Sequence, residues 1–292
     1  MDIQKYLIDN SIIFSDSIIE YSGSVRDNQN IKVFQCIKSG VKFIQNSDHI
    51  TSKYYTNKTE TTYWKSNINR NDALKTTYRD DSRRFFEFTN ILVRKRYLDI
   101  GTGMGGILDL ASSVVSSVTA VEPIDYIRNM LIQQGFLVYD KIDTIPNGFT
   151  FDVISLFHVL EHVDDPIDLL SKAFQLLEEG GKIIIEVPHS RDFLLETLHS
   201  ESFKEFTLWS EHLVLHTRNS LNVVASKAGF KNICIKGIQR YPLSNHLYWL
   251  VNNRPGGHVK YAHLETDRLS NAYEEMLASI DQTDTLLLIA EK

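Results

Sequence analysis

Cysteine is scarce: the 292 residues hold two, Cys36 and Cys234, too few and too far apart for a disulfide framework or a cysteine-only zinc site. That usage suits a reducing compartment and predicts a cytoplasmic protein. A basic excess is missing as well. With 31 Lys and Arg against 37 Asp and Glu, the formal charge is −6, so a nucleic-acid partner is not expected. No apolar run is long enough to span a membrane, and the opening MDIQKYLIDN puts acids where a secretory peptide needs basic and then apolar residues. Repeats and low-complexity tracts are absent. What is present is a hydrophobic content of 42%, enough for a sizeable core in one large domain with additions, or about two domains.

Residues 1–60 mix short apolar runs (SIIFSDSIIEYSG, IKVFQCIKSGVKFI) with Gly, Ser and Asn, which predicts a small β-rich appendage. Residues 61–95 space apolar and aromatic side chains at helical intervals among Arg and Asp and read as a helical cap or linker. There Tyr63, Trp64, Tyr78, Arg83 and Arg84 either close over a ligand or form an ordinary amphipathic helix with a solvated basic face. From Arg96 to Lys292, β-rich runs alternate with helix-length segments, the pattern of βαβ units. Strands are expected at 96–101, 117–123, 136–140, 151–158 and 182–189. Between the last two, Asp165 and Pro166 open a helix that Gly180 and Gly181 should end. Two further apolar runs flank an insertion at about 239–281.

The first of these strands runs into GTGMGG. Gly101, Gly103, Gly105 and Gly106 let backbone approach a ligand at the start of a helix, and three of them also satisfy the dinucleotide pattern GxGxxG. Asp99 decides between the readings. A carboxylate two residues before the first glycine repels a pyrophosphate but attracts the ammonium and sulfonium of S-adenosylmethionine. Glu122, 21 residues after Gly101, ends the next strand where a ribose would be held.

Through YLDIGTGMG, AVEP, FDVISLFHVLEHVDDP and LEEGGKIIIEVPH, the sequence resembles the class I S-adenosylmethionine-dependent methyltransferases over residues 96–292. The resemblance implies an α/β fold, a Rossmann-like, seven-stranded, mostly parallel sheet with an antiparallel last strand. It implies S-adenosyl-L-methionine as cofactor, with Asp99, Gly101, Gly103 and Gly105 at its methionine end and Glu122 at its ribose. It also sets Pro123 and Asp140 on the nucleoside side and Phe157 and His158 near the sulfonium.

Candidate bases cluster after the later strands: His158, Glu161 and His162 in HVLEH, His189, and Glu211, His212 and His216 in WSEHLVLH. The segment from Pro188 to Phe230 resembles sugar and natural-product methyltransferases, which implies acid–base roles for Glu211 and His212, with His162 and His158 beside them. The insertion RYPLSNHLYWLVNNRPGGH resembles surface-polysaccharide enzymes and implies acceptor contacts from Arg240, Tyr241, Asn245 and His246, with His189 nearby; a dimer contact is its bland alternative. The expected acceptor is therefore a sugar or sugar nucleotide methylated on oxygen, with sugar carbon methylation or a silent cofactor-binding subunit as rivals. HxxEH with a later His also resembles the divalent-ion ligands of some methyltransferases, but no metal site is assigned.

Overall fold

The computed structural model describes residues 1–50 and 69–292; Tyr63 and Trp64 lie outside them. Asp2 caps a first helix, α1 (Ile3–Asp9), by accepting from Lys5 N, and Ile3 and Leu7, four apart, bury one face. That cap and pair explain a helix where the sequence predicts short strands. Three antiparallel strands follow: β1 (Ile18–Ser22), β2 (Val33–Cys36) and β3 (Lys42–Ile44). The long helix α2 (Arg70–Leu92), capped by Asn69, leads into the main sheet.

The main unit alternates as its apolar texture predicts. Its first half holds β4 (Arg96–Ile100), α3 (Gly106–Ala111), β5 (Ser117–Val121), α4 (Asp125–Gln133), β6 (Leu137–Tyr139) and β7 (Phe151–Phe157). Next come α5 (Pro166–Leu176), β8 (Leu177–Pro188), α6 (Phe193–Glu196), α7 (Glu201–Thr207), β9 (Val214–Leu215), α8 (Arg218–Lys227) and β10 (Lys231–Ile238). The insertion carries α9 (Leu243–Asn252), α10 (Gly257–Lys260) and α11 (Asp267–Ser279), and β11 (Thr285–Glu291) closes the chain. Helix α5 stops four residues before Gly180, because Leu177 drops into the core beside Phe151 rather than continuing the turn.

The seven strands lie in the order β10-β11-β8-β7-β4-β5-β6. Only β11 runs antiparallel to its neighbours, slotted between β8 and β10, as the α/β reading expects. Side chains alternate across this sheet. Leu98, Ile100, Ile154, Leu156, Ile183 and Ile185 face one way, into a core continuous with Ile3, Val33 and Phe43 of the N-terminal lobe. Tyr97, Val153, Ile184 and Leu287 face the other, against Phe88 and Leu92 of α2 and Leu108 of α3. Each such side chain contributes about 1.5–3 kcal/mol when fully buried. No helix among the described residues is long and apolar enough to cross a membrane.

The N-terminal lobe is not a separate bead. Its sheet runs β1-β2-β3-β9, and β9 is borrowed from the main unit, pairing Phe43 with Val214 and Lys42 with Leu215. Arg26 N donates to Leu208 O, Asp27 accepts from Ser210 N and Oγ, and Lys42 Nζ donates to Ser190 O at 2.6 Å. The lobe thereby holds the segments that follow β8.

Candidate functional site

Strand β4 delivers the chain to the carboxyl edge of the sheet, where open α/β sheets form ligand crevices. Gly101 adopts φ +72°, and a Cβ there would lie 2.5 Å from Val159 Cγ2, so only glycine meets both demands. Gly103 is also left-handed, at +54°, but none of the described residues lies within 4 Å of where its Cβ would stand. The turn leaves open space against its own backbone.

Two buried carboxylates frame that space. Asp99, 2% exposed, accepts from Ser155 Oγ at 2.5 Å, and Tyr97 OH lies 2.6 Å from the same hydroxyl. Burial pushes Asp99 up to about 6, against the pull of Ser155. Glu122 accepts from Gly103 N with Oε2 and from Ile124 N with Oε1, both at 2.9 Å. Burial lifts it to about 7 while those N–H groups hold it down. Glu122 therefore ties the glycine turn to the end of β5, a task that spacing alone does not reveal. Asp140 accepts from Thr144 Oγ1 at 2.6 Å. Phe157 stacks on Phe88, with the Arg84 guanidinium 4.4 Å from its ring centre.

These groups, with Gly105, Pro123 and His158, line one cavity of about 740 Å³, a size typical of small-molecule sites. His162, Glu211, His212, His189, Arg240, Tyr241, Asn245 and His246 line the same cavity. His216 does not; it is buried beneath, with Nδ1 3.1 Å from Ser220 Oγ.

Several side chains are engaged in ways the sequence does not predict. Arg240, expected to contact the acceptor, forks onto Asp80 of α2, with Nε to Oδ1 at 3.1 Å and Nη2 to Oδ2 at 2.5 Å, and its Nη1 lies 2.8 Å from His158 Nε2. Asn245 Oδ1 accepts from Gly256 N and Gly257 N, holding the turn before α10. Arg83 and Arg84 are not a solvated basic face. They reach Glu186, fully buried near the end of β8, at 2.7 and 2.8 Å, because a buried carboxylate demands neutralising partners. His189 Nδ1 lies 3.1 Å from Thr283 O, and His246 Nδ1 2.7 Å from Tyr273 OH.

Rings form the wall contributed by the segments after β8. Trp209 meets His162 and His212 edge-on, with ring centres 5.8 and 5.1 Å apart, and Phe203 and Phe206 pack near it against Trp249. Arg26 of the N-terminal lobe covers Trp209 from outside at 4.8 Å. The sequence offers no signal for Phe203 and Phe206 beyond their aromatic character, since α7 lies far along the chain from the glycine turn.

Glu161, His162 and His212 each bring one potential ligand atom within 4.8 Å of the others, the one such trio among the described residues, although the sequence assigns no metal. His162 Nδ1 donates to Glu211 O at 2.8 Å and His212 Nδ1 to Thr207 O at 3.0 Å, which makes each Nε2 the acceptor atom. Glu161 is 1% exposed, and its Oε2 finds no hydrogen-bond partner among the described residues.

A family model described as a methyltransferase domain matches residues 70–235, more than half of the chain. The chain belongs to the S-adenosylmethionine-dependent methyltransferases. It is similar to the mitochondrial ubiquinone biosynthesis O-methyltransferase of Candida albicans, 34% identical over 110 residues, 33% of this chain and 33% of that one. It is also similar to the ubiquinone biosynthesis O-methyltransferase of Colwellia psychrerythraea, 24% identical over 193 residues, 61% of this chain and 76% of that protein. This methyltransferase thus spans about a third of the Candida relative and 46% of the one from Haemophilus ducreyi. Among solved structures, phosphoethanolamine N-methyltransferase 2 of Haemonchus contortus in complex with S-adenosyl-L-methionine shares the fold. Its TM-score is 0.55 at 16% identity, covering 86% of this chain and 62% of that one.

The methyltransferase's own residues fit its cofactor: a buried carboxylate at Asp99, open backbone at Gly103 and a second carboxylate at Glu122 suit a cationic, phosphate-free nucleoside. The sugar or sugar-nucleotide acceptor and the kinship with surface-polysaccharide enzymes are corrected here, because these relatives are named for ubiquinone O-methylation. Sugar carbon methylation falls with them. The misreading arose from EHLVLH and the aromatic insertion, whose residue types suit polar glycans and flat rings equally well.

Proposed function

We propose that this methyltransferase transfers the methyl group of S-adenosylmethionine to a hydroxyl on an aromatic ring of the quinone-precursor class. The observation that carries the reading is one cavity in which the glycine-turn wall meets a ring-lined wall and the Glu161 side chain. The shared name of the relatives supports oxygen as the methylated atom and a quinone-type acceptor.

Asp99 and the glycine turn would hold the methionine end, Glu122 and Pro123 the ribose, and Asp140 the side toward the base. When bound, the cofactor supplies an electrophilic methyl with its own leaving group, so alignment and deprotonation fall to the protein. Trp209, Phe203 and Phe206 would align a flat ring, with His189, Tyr241 and His246 at its polar edge. The Glu161 carboxylate would receive the hydroxyl proton. Burial pushes this carboxyl up to about 8, the range in which a base serves well near neutral pH. His212, favoured by the sequence, is pushed well below the usual imidazole value by burial and by His162 beside it, which makes it the weaker base.

Incubation with labelled S-adenosylmethionine and 3,4-dihydroxybenzoate, with and without a prenyl chain, tests the reading. Methylation on oxygen is expected, and Glu161→Gln should lower kcat by about 10²–10⁴ while cofactor binding persists. Turnover of amines and of no phenol would overturn it. Treatment with EDTA should leave the rate unchanged; loss restored by a divalent ion would instead assign the Glu161, His162 and His212 trio to a metal.

A further inference from the structure

Arg240 lies far along the chain from HVLEH, yet its guanidinium ends on His158. An arginine can only donate. The 2.8 Å contact between Nη1 and His158 Nε2 therefore requires a lone pair on Nε2, which puts the ring's single proton on Nδ1. That nitrogen lies 3.3 Å from Glu161 Oε1 and donates to it. Glu161 is thus held through Oε1, while its other oxygen, Oε2, is buried and has no hydrogen-bond partner among the described residues.

The anchoring is deliberate in its geometry. Asp80 grips Arg240 with both oxygens, so the guanidinium cannot swing away from His158 without breaking a half-buried bidentate pair. His158 itself sits at φ +57°, a left-handed conformation that non-glycine residues adopt only at an energetic cost. Its backbone N donates to Glu186 O, which fixes the ring's position between Arg240 and Glu161. Burial and the neighbouring Arg240 and Arg84 cations keep the imidazole neutral, in agreement with the contact geometry.

We propose that Arg240 is a positioning residue: anchored on Asp80, it sets the Nδ1–H tautomer of His158, which in turn fixes the orientation of the Glu161 carboxylate at the cavity wall. This rests on the proposed role of Glu161 as proton acceptor, and it links the C-terminal insertion and α2 to the reacting centre. The relay runs Asp80, Arg240, His158, Glu161, drawing its four members from three separate stretches of chain.

The tautomer can be read without any acceptor. In the full chain labelled with ¹⁵N-histidine, two-bond nitrogen–proton correlations assigned through a His158→Gln variant should show His158 protonated at Nδ1. Arg240→Met should move that signal toward Nε2–H and lower kcat with 3,4-dihydroxybenzoate about tenfold, with the KM for S-adenosylmethionine within about twofold. Arg240→Lys, which still offers a donor, should recover part of both. Nε2–H in the wild type, or an Arg240→Met protein unchanged in tautomer and in kcat, overturns the proposal. Should Arg240→Met fold poorly, the wild-type spectrum and Asp80→Asn decide it. An Nδ1–H signal together with full activity of Glu161→Gln would sink the base reading alone and leave the tautomer assignment standing.

Discussion

The two walls of the cavity are built on opposite principles. The wall at the ends of β4 and β5 comes from neighbouring pieces of chain, in which backbone N–H groups, glycine space and two carboxylates meet within one βαβ unit. The wall beyond β8 is assembled from α2, the loops after β7 and β8, α7, the insertion and the clamp of the N-terminal lobe. Its side chains are held by buried ion pairs and by hydrogen bonds that join segments distant in the chain. A local wall tolerates change in the rest of the molecule; a wall of distant parts depends on every part staying in place.

The largest expected effect tests that dependence. Glu186→Ala leaves the buried Arg84 and the half-buried Arg83 facing each other without their shared carboxylate. Breaking such a buried pair costs about 3–5 kcal/mol, so a large fall in the urea midpoint is expected. A loss below about 1 kcal/mol would show that the far wall does not lean on this network.

A second effect is read in pH. Burial, with Asp284 nearby, pushes Asp192 up to about 8 in the folded protein. A carboxyl raised above its unfolded value favours the fold while protonated, so its contribution is present below about pH 4 and is lost as pH rises toward 8. Asp192→Asn keeps an oxygen for Leu194 N and removes the charge. Relative to the wild type it should gain stability at pH 8 and none at pH 4, measured by denaturation of the cofactor-free protein. Equal shifts at both pH values would place the strain elsewhere. His216 and His246, pushed down to about 4 by burial, act in the opposite sense between pH 6.5 and 4, which is why the comparison is made between variant and wild type.

The smallest effect sharpens the local wall. Gly103→Ala meets no neighbour among the described residues and costs the left-handed backbone, about 1–2 kcal/mol. Its methyl would stand in the open space beside the turn, so calorimetry should show S-adenosylmethionine affinity lowered more than stability. Stability lost without affinity would mean that the space at Gly103 is not where the cofactor lies.

Much of the first wall was legible because its signals are local. LDIGTGMG and AVEP carry their meaning in spacing, and the strand runs around them alternate and pair as read. The far wall was legible only by residue type. His162, Glu211, His212, His189, Tyr241 and His246 reach the cavity, but Arg240 and Asn245 are occupied by Asp80 and by Gly256 and Gly257. The acceptor class was misread because imidazoles, amides and rings suit a sugar and a quinone-type ring alike.

By itself, the amino-acid sequence determined the α/β sheet and its glycine turn, since strand periodicity and left-handed glycines act over a few residues. Tertiary structure alone decided which arginine neutralises Glu186, which proton His158 carries and which rings share a cavity with the glycine turn. Those outcomes depend on contacts between segments far apart in the chain, where burial makes each unpaired charge too costly to leave and so selects its partner.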